Sequence, residues 1–201
     1  MTLSELAEAA NLPVATVKYY LREGLLPPGT PVTRTRADYS AGHLDRLRLV
    51  RALVDAAGLS IADARRIVAV VDDPPQRRSE LLGIAHGALP SRHRDHEVSD
   101  EARRFVAGLG WTFDPDTPAL HDLTGALEAA RTAGIPVGTD QLTAMADGCA
   151  TIAEADVDLA LTSGDASDAV RVATAGTVLT DPIVAAMRRL AHQHVARRRL
   201  D

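Results

Sequence analysis

The 201-residue chain is poor in several things, and each scarcity closes off a class of protein. It has one cysteine, Cys149, so neither an internal disulfide nor a cysteine-rich metal site can form, and a simply buried thiol is expected. No run approaches about eighteen uninterrupted apolar residues, which excludes a membrane span. Met1 leads straight into the polar TLSELAEAAN, without the charged leader and apolar stretch of a secretory signal, so a cytoplasmic protein is expected. Aromatics make up only 3%, whereas alanine contributes 35 residues. A core of Ala, Leu and Val favours helices, because Ala carries the lowest helical cost and aromatics favour strands. With 46% hydrophobic and 24% charged residues, wholesale disorder is excluded.

Lysine is nearly absent: Lys18 stands alone against 21 arginines. Up to Val71 there are 9 basic and 7 acidic residues, a net +2, while the remainder carries −7. A polyanionic partner is therefore more plausible at the N-terminal end.

The local signals are those of short capped helices. Thr2 and Glu5 form a T-x-x-E capping box before Leu3, Leu6, Ala7 and Ala10 at helical spacing. Asn11 suits a left-handed turn, and a second helix runs from near Pro13 to a stop at Gly24. Pro27, Pro28, Gly29 and Pro31 break the chain before Val32-Thr-Arg-Thr-Arg, which reads as one short strand. Ser40 caps a helix through Leu44, Leu47, Val50, Leu53 and Val54 that ends at Gly58. Ser60 and Asp63 open another, with Ile61, Ala64, Ile67, Val68 and Val71 as its apolar stripe. Asp72-Asp-Pro-Pro is the expected domain boundary. Beyond it, helices are expected over 77–89, 99–109, 118–133, 139–161, 165–180 and 182–199, with a solvated connector at 90–96 and a loop at 111–118.

The first two helices meet the packing demands of a helix-turn-helix. Ala7 is small where the helices approach, Asn11 turns the chain, Leu12 plugs the gap, and Leu6, Ala10, Val17 and Tyr20 complete the contact. An ordinary two-helix hairpin is the alternative. On the second helix, Ala15, Tyr19 and Arg22 share the opposite face, flanked by Thr16 and Lys18. Thr16 can bond a base edge or phosphate, and Lys18 and Arg22 can neutralise phosphates. Adjacent Tyr19 and Tyr20 diverge by about 100°, so Tyr19 should face DNA while Tyr20 packs inward, its hydroxyl near the phosphates. A strand through Arg34 and Arg36 would project both guanidiniums from one face as a wing, unless it is only a solvated edge. Tyr39, ahead of the Ser40 cap, should anchor that wing.

Taken together, TLSELAEAANLPVATVKYYLREGLL, the Arg-x-Arg wing, Tyr39-Ser40 and LRLVRALVDAAGLSIADARRIV resemble the winged-helix DNA-binding domain of the MerR family of bacterial transcription regulators. The resemblance covers residues 1–71. It implies a homodimer on an inverted repeat in promoter DNA, distortion of that DNA that acts on RNA polymerase indirectly, and a small-molecule effector bound in the C-terminal domain. Several positions depart from the family pattern. Ala15 stands where arginine is common, Leu21 where an acidic residue is usual, Asp38 replaces a frequently basic wing residue, and Asp55 lies where a phosphate-binding lysine often sits. Pro74, Pro75, Gly83, Gly87 and Pro90 interrupt the region where relatives continue into a long pairing helix. Dimerisation is therefore expected elsewhere.

Other signals carry less. His93 and His96, beside Asp95 and Glu97, sit in a proline-led connector, so no metal site is expected. His192 and His194 point to nearly opposite sides of a helix and cannot chelate together. Asp114 and Asp116 belong to a turn, and Arg197, Arg198 and Arg199 suit a helix C-terminus. No catalytic motif is present, and neither catalysis nor a cofactor is expected.

The expected fold is mainly α. Residues 1–71 form a winged helix-turn-helix of helices plus a short β wing, 72–76 a linker, and 77–201 an all-helical effector-binding and dimerisation domain. The last helix, with Ile183, Met187, Leu190, Ala191 and His194 at helical spacing, is the candidate dimer contact, beside a stripe of Val170, Ala173 and Val178. Met145, Met187, Phe105, Trp111 and Phe113 are candidate pocket linings, with core packing as the alternative. The expected DNA contacts are Thr16, Lys18, Tyr19, Tyr20, Arg22, Arg34, Arg36 and Tyr39. A nucleoid or recombination-accessory protein without effector, and a ligand-binding or enzymatic domain tethered to DNA, remain as alternatives.

Overall fold

Helix α1 (Leu3–Ala9) starts where its first free N–H groups find partners. The Thr2 hydroxyl accepts from the Glu5 N–H at 3.3 Å, and the Glu5 carboxylate accepts from the Thr2 N–H at 2.8 Å. Those bonds hold the Glu5 carboxyl below its ordinary pKa. The helix stops at Asn11, whose φ of 51° is left-handed, and the Leu12 N–H returns to the Ala7 carbonyl at 2.9 Å. Pro13 supplies a fixed φ ahead of α2 (Val14–Arg22), which ends at Gly24 with φ 71°.

The coordinates come from a computed structural model that describes residues 1–74, 86–91, 93, 97–162, 164 and 166–200. Residues 77–85 of the expected 77–89 helix, part of the 72–76 linker, Asp95 and His96, and the side chain of Val170 lie outside that description.

The expected single strand is a hairpin. β1 (Thr30–Thr33) pairs antiparallel with β2 (Arg36–Asp38), setting Thr30 opposite Asp38 and Thr33 opposite Arg36. Helix α3 (Ala41–Arg51) follows Ser40, whose N–H donates to His43 Nδ1 at 3.1 Å, and runs into a π-helical turn at Ala52–Ala56 before Gly58. Helix α4 (Ile61–Asp72) opens with the Ser60 hydroxyl accepting from the Asp63 N–H at 3.1 Å. Leu6, Val17, Leu25, Leu26, Leu47, Val50, Leu53 and Ile67 are fully buried among these elements. Each such side chain contributes roughly 1.5–3 kcal/mol.

Two compact units divide the chain: Met1–Asp73 with Thr174–Asp201, and Pro74–Ala173. The boundary falls beside the Asp-Asp-Pro-Pro break, but the last helix, expected in the second domain, groups with the winged helix. That helix, α9 (Thr177–Leu200), packs against the π-helical turn at Ala52–Ala56. It also corrects the two helices expected over 165–180 and 182–199. Helix α8 spans only Ala166–Arg171, a π-helical turn follows at Val172–Gly176, and α9 runs unbroken through Pro182. Pro182 is the sixth residue of α9 and lies inside it, where its ring leaves the Val178 carbonyl without the usual intrahelical donor.

In the second unit, α5 (Asp100–Gly108) packs on α6 (Pro118–Thr132) around Val98, Ala102, Val106 and Leu120. The buried Thr124 hydroxyl donates to the Leu120 carbonyl at 3.0 Å and accepts from the Ser99 N–H at 3.3 Å. A Cβ on Gly125 would overlap the His93 ring, so glycine is required there. Asp114 accepts from the Asp116 N–H at 3.0 Å, the local turn bond expected of that pair. Helix α7 (Thr139–Leu161) touches α8, and its Ala160 packs with Val172 and Ala173 of the π-helical turn that follows. Among the described residues, no helix is long and apolar enough to cross a membrane.

Candidate nucleic-acid interface

The two faces of α2 have opposite environments. Val17 is fully buried and Tyr20 is 4% exposed, whereas Tyr19 is 36% exposed and Ala15, Lys18 and Arg22 are open to solvent. The 100° step between neighbouring residues thus separates the tyrosines. Burial, aided by the Asp55 carboxylate, pushes the Tyr20 phenol above its ordinary pKa. The Arg22 guanidinium lies 5.8 Å from the Tyr19 ring centroid, within cation–π range, which braces two long exposed side chains. Thr16 is half-buried at the start of this face.

The hairpin corrects the expected geometry of the wing arginines. Arg34 and Thr35 form the turn, where the Thr35 N–H donates to the Thr33 hydroxyl at 3.3 Å. Arg36 starts β2 and its Nη2 lies 3.5 Å from an Asp38 carboxylate oxygen. The two guanidiniums therefore come from a tip and a strand rather than from one strand face. Both are exposed.

Tyr39 is buried behind the wing. Its N–H donates to the Met1 carbonyl at 2.7 Å, its carbonyl accepts from the Met1 ammonium at 2.9 Å, and His43 meets its ring edge-on at 5.2 Å. A Cβ on Gly29 would come within 2.9 Å of the Tyr39 ring and the Asp38 carbonyl, so this crossing needs glycine. Tyr39 fixes where the hairpin leaves the body.

Three arginines that sequence reasoning did not single out hold the frame. Arg51 donates to the Ala10 carbonyl at 3.3 Å and pairs with Asp55 at 3.2 Å, bracing the turn between α1 and α2. Arg65 donates to the Glu23 carbonyl at 2.8 Å and its carboxylate at 2.5 Å, which places a cation at the C-terminus of α2. Arg46, its side chain mostly buried, pairs with Asp72, and burial lowers its pKa. The spacing of Arg51 and Asp55 was the one local hint; the other contacts join distant segments.

Charge follows the same division. The unit holding the winged helix has 14 basic and 11 acidic residues, and the other has 8 and 16. The second unit presents Cys149 exposed, contrary to the expected buried thiol, and Trp111 and Phe113 are exposed rather than in the core. Most of α7 is solvent-facing, which accounts for the thiol, and both aromatics lie in the loop before α6.

Residues 1–70 match the MerR HTH family regulatory protein description. The HTH-type transcriptional regulator HmrR of Rhizobium leguminosarum bv. viciae is 27% identical over 128 residues, covering 62% of this chain and 98% of that protein. The crystal structure of the "putative transcriptional regulator SCO5550" from Streptomyces coelicolor A3(2) is similar with a TM-score of 0.68 and 33% identity, covering 99% of this chain and 97% of that one.

Proposed function

The chain belongs to the MerR family of transcriptional regulators, and from that premise we propose that it binds an inverted-repeat promoter operator as a homodimer, switched by a small molecule bound in the Pro74–Ala173 unit. The observation that carries the reading is the outward face of α2, with Lys18, Tyr19 and Arg22 exposed over a core that fixes the helix through Val17 and Tyr20. Such a helix suits the major groove, with Thr16 toward base edges and Lys18 and Arg22 on phosphates. Arg34 at the wing tip and Arg36 on β2 reach further backbone or a minor groove. Tyr20 and Tyr39 serve from within, holding the helix and the wing. The family and relatives matched are regulators, and RNA polymerase responds through the shape of the bound promoter.

Effector binding is supported by a trough of about 660 Å³ beside α7, lined by Trp111, Ala150, Ala153, Glu154, Val157 and Asp158. Helix α7 carries five carboxylates and no lysine or arginine, so an apolar molecule with positive charge suits it. The regulator reading favours such a site over a nucleoid protein without effector.

The test is operator binding measured across salt concentration. Lys18→Ala with Arg22→Ala should weaken binding several-fold or more and lower the salt slope by about two. Arg34→Ala and Arg36→Ala should each weaken binding across many sequences, whereas Thr16→Ala should alter sequence preference. An unchanged affinity and slope in the double variant would remove α2 from the groove.

A further inference from the structure

The leading end of α2 carries no side-chain hydrogen-bonding group. Pro13, Val14 and Ala15 follow one another there, all exposed, with Val14 at 36%. Pro13 caps the helix without a side-chain hydrogen bond, and its carbonyl accepts from the Thr16 and Val17 N–H groups at 2.9 and 3.2 Å. The first turn is therefore closed by the backbone and held from beneath by the fully buried Val17. Three exposed apolar residues in a row are out of place on a solvated surface unless that surface has a use.

The angular arrangement shows which way they face. At about 100° per residue, Ala15 lies opposite the midpoint between the buried Val17 and Tyr20. Val14 and Lys18 flank it on one side and Tyr19 on the other, while the half-buried Thr16 stands at the rim. The cations come later along the helix. Lys18 is one turn on, and Arg22, whose guanidinium is engaged with the Tyr19 ring, is two turns on. The outward face thus runs from apolar at its leading end to cationic at its trailing end.

We propose that Val14 and Ala15 read thymine in the operator by packing against its C5-methyl group in the major groove. The inference rests on the operator reading above and names a base within it. A helix-turn-helix enters the major groove with the N-terminal residues of its second helix nearest the base edges. Guanine, adenine and cytosine present hydrogen-bonding atoms there, while thymine adds the one large apolar feature, its methyl group. An alkyl side chain set against guanine O6 and N7, or cytosine N4, strips their water and returns no hydrogen bond. Against the thymine methyl the same side chain covers apolar surface on both partners. Attraction and rejection therefore point to the same base. Lys18 and Arg22, on phosphates, add affinity that is blind to sequence.

Deoxyuridine isolates the methyl, because it differs from thymidine in that group alone and keeps every groove hydrogen bond. The full-length chain first selects a duplex from a random-sequence pool. That duplex is then resynthesised with one thymine at a time, in one half-site, replaced by deoxyuridine. At fixed salt, binding followed by fluorescence anisotropy should weaken about three- to five-fold at one or two thymines, the worth of one buried methyl group, and by less than about 1.5-fold at the others. These duplexes act on the natural chain and are independent of how any variant folds. Val14→Thr exchanges one methyl for a hydroxyl with little change of shape, and Ala15→Ser places a hydroxyl on the Cβ. In each variant the uridine penalty at the thymine it reads should fall below about 1.5-fold, with the salt slope unchanged. Changing that pair to C·G should weaken binding, and 5-methylcytosine at the same place should recover about three- to five-fold.

Uridine tolerated at every thymine by the natural chain, with affinity and salt slope intact, would overturn the thymine reading and leave α2 in the groove. A uridine penalty undiminished in both variants would give the methyl to another side chain and overturn the assignment to Val14 and Ala15. Failure to select any sequence from the pool would remove the operator reading, and this inference with it.

Discussion

The unit holding the winged helix and the Pro74–Ala173 unit are built from the same amino acids in different ways. The largest fully buried side chains of the described residues, six leucines and isoleucines, three valines and Thr174, all belong to the first. Among its described residues the second shows small clusters, Val98, Ala102, Val106 and Leu120 in one and Ala160 with Ala173 in another. It leaves Ile152, Leu159 and Leu161 of α7 exposed. Deep cores of branched side chains fix a helix and a wing relative to one another, as a surface that meets a rigid duplex requires. On the effector reading proposed above, packing as shallow as that of these described residues would let a ligand shift the body at modest cost.

The sharpest break of that comparison is a cavity in each unit. Leu47→Ala should cost about 2–5 kcal/mol and Leu142→Ala no more than about 2 kcal/mol, because Leu47 is fully buried whereas Leu142 is 9% exposed. Trp111 is the sole tryptophan and lies in the second unit, so its fluorescence reports that unit while far-ultraviolet dichroism reports both. In urea, Leu47→Ala should lower the dichroism midpoint and leave the Trp111 transition in place. Coincident shifts of both signals would mean that the units unfold as one body.

What the sequence made legible were features decided within a few residues. The Thr2–Glu5 box, the Asn11 turn, the Gly24 and Gly58 stops and the Ser60 cap are local bonds, and all are present. The stripe Ala64, Ile67, Val68 and Val71 is buried, and the two tyrosines of α2 part as their angle requires. The misreadings concern longer range. Whether Arg34 sits in a strand or a turn depends on register, which is settled where Gly29 passes beneath Tyr39. Pro182 read as a boundary because proline removes a donor, yet the helix continues through it at the loss of one intrahelical bond. The grouping of α9 with the winged helix has no local signature. Nor does the exposure of Cys149 and Trp111, since composition describes what could be buried and not which face finds a neighbour.

A smaller effect should come from the ion pair at the boundary. Arg46 of α3 keeps a mostly buried guanidinium against Asp72 in the last turn of α4, next to the division between units. Asp72→Asn would leave that cation without its counter-charge. Because the carboxylate is half exposed, the expected loss is about 1–2 kcal/mol rather than the larger value for a fully buried pair. The exposed pair Arg171–Asp168 makes the control, and Asp168→Asn should change stability by no more than about 0.5 kcal/mol. Equal losses in the two variants would show that burial does not distinguish the units' electrostatics. Urea unfolding of each variant reads the difference.

The smallest effect concerns pH. All three tyrosines lie in the first unit, and the buried Tyr20 phenol is held above its ordinary value of 10.0. Burial disfavours the phenolate in the folded state, whereas the unfolded chain ionises near pH 10. The neutral phenol's contribution is therefore fully present below about pH 10 and is lost as pH rises through the folded pKa. Between pH 8 and pH 10.5 the dichroism midpoint in urea should fall further for the natural chain than for Tyr20→Phe, by an amount worth well under 1 kcal/mol. The Trp111 transition, in a unit without tyrosine, should show no corresponding difference between the two proteins. A decline of the same size in both would mean that Tyr20 is solvated when folded, and the inward face of α2 would then be looser than its packing indicates.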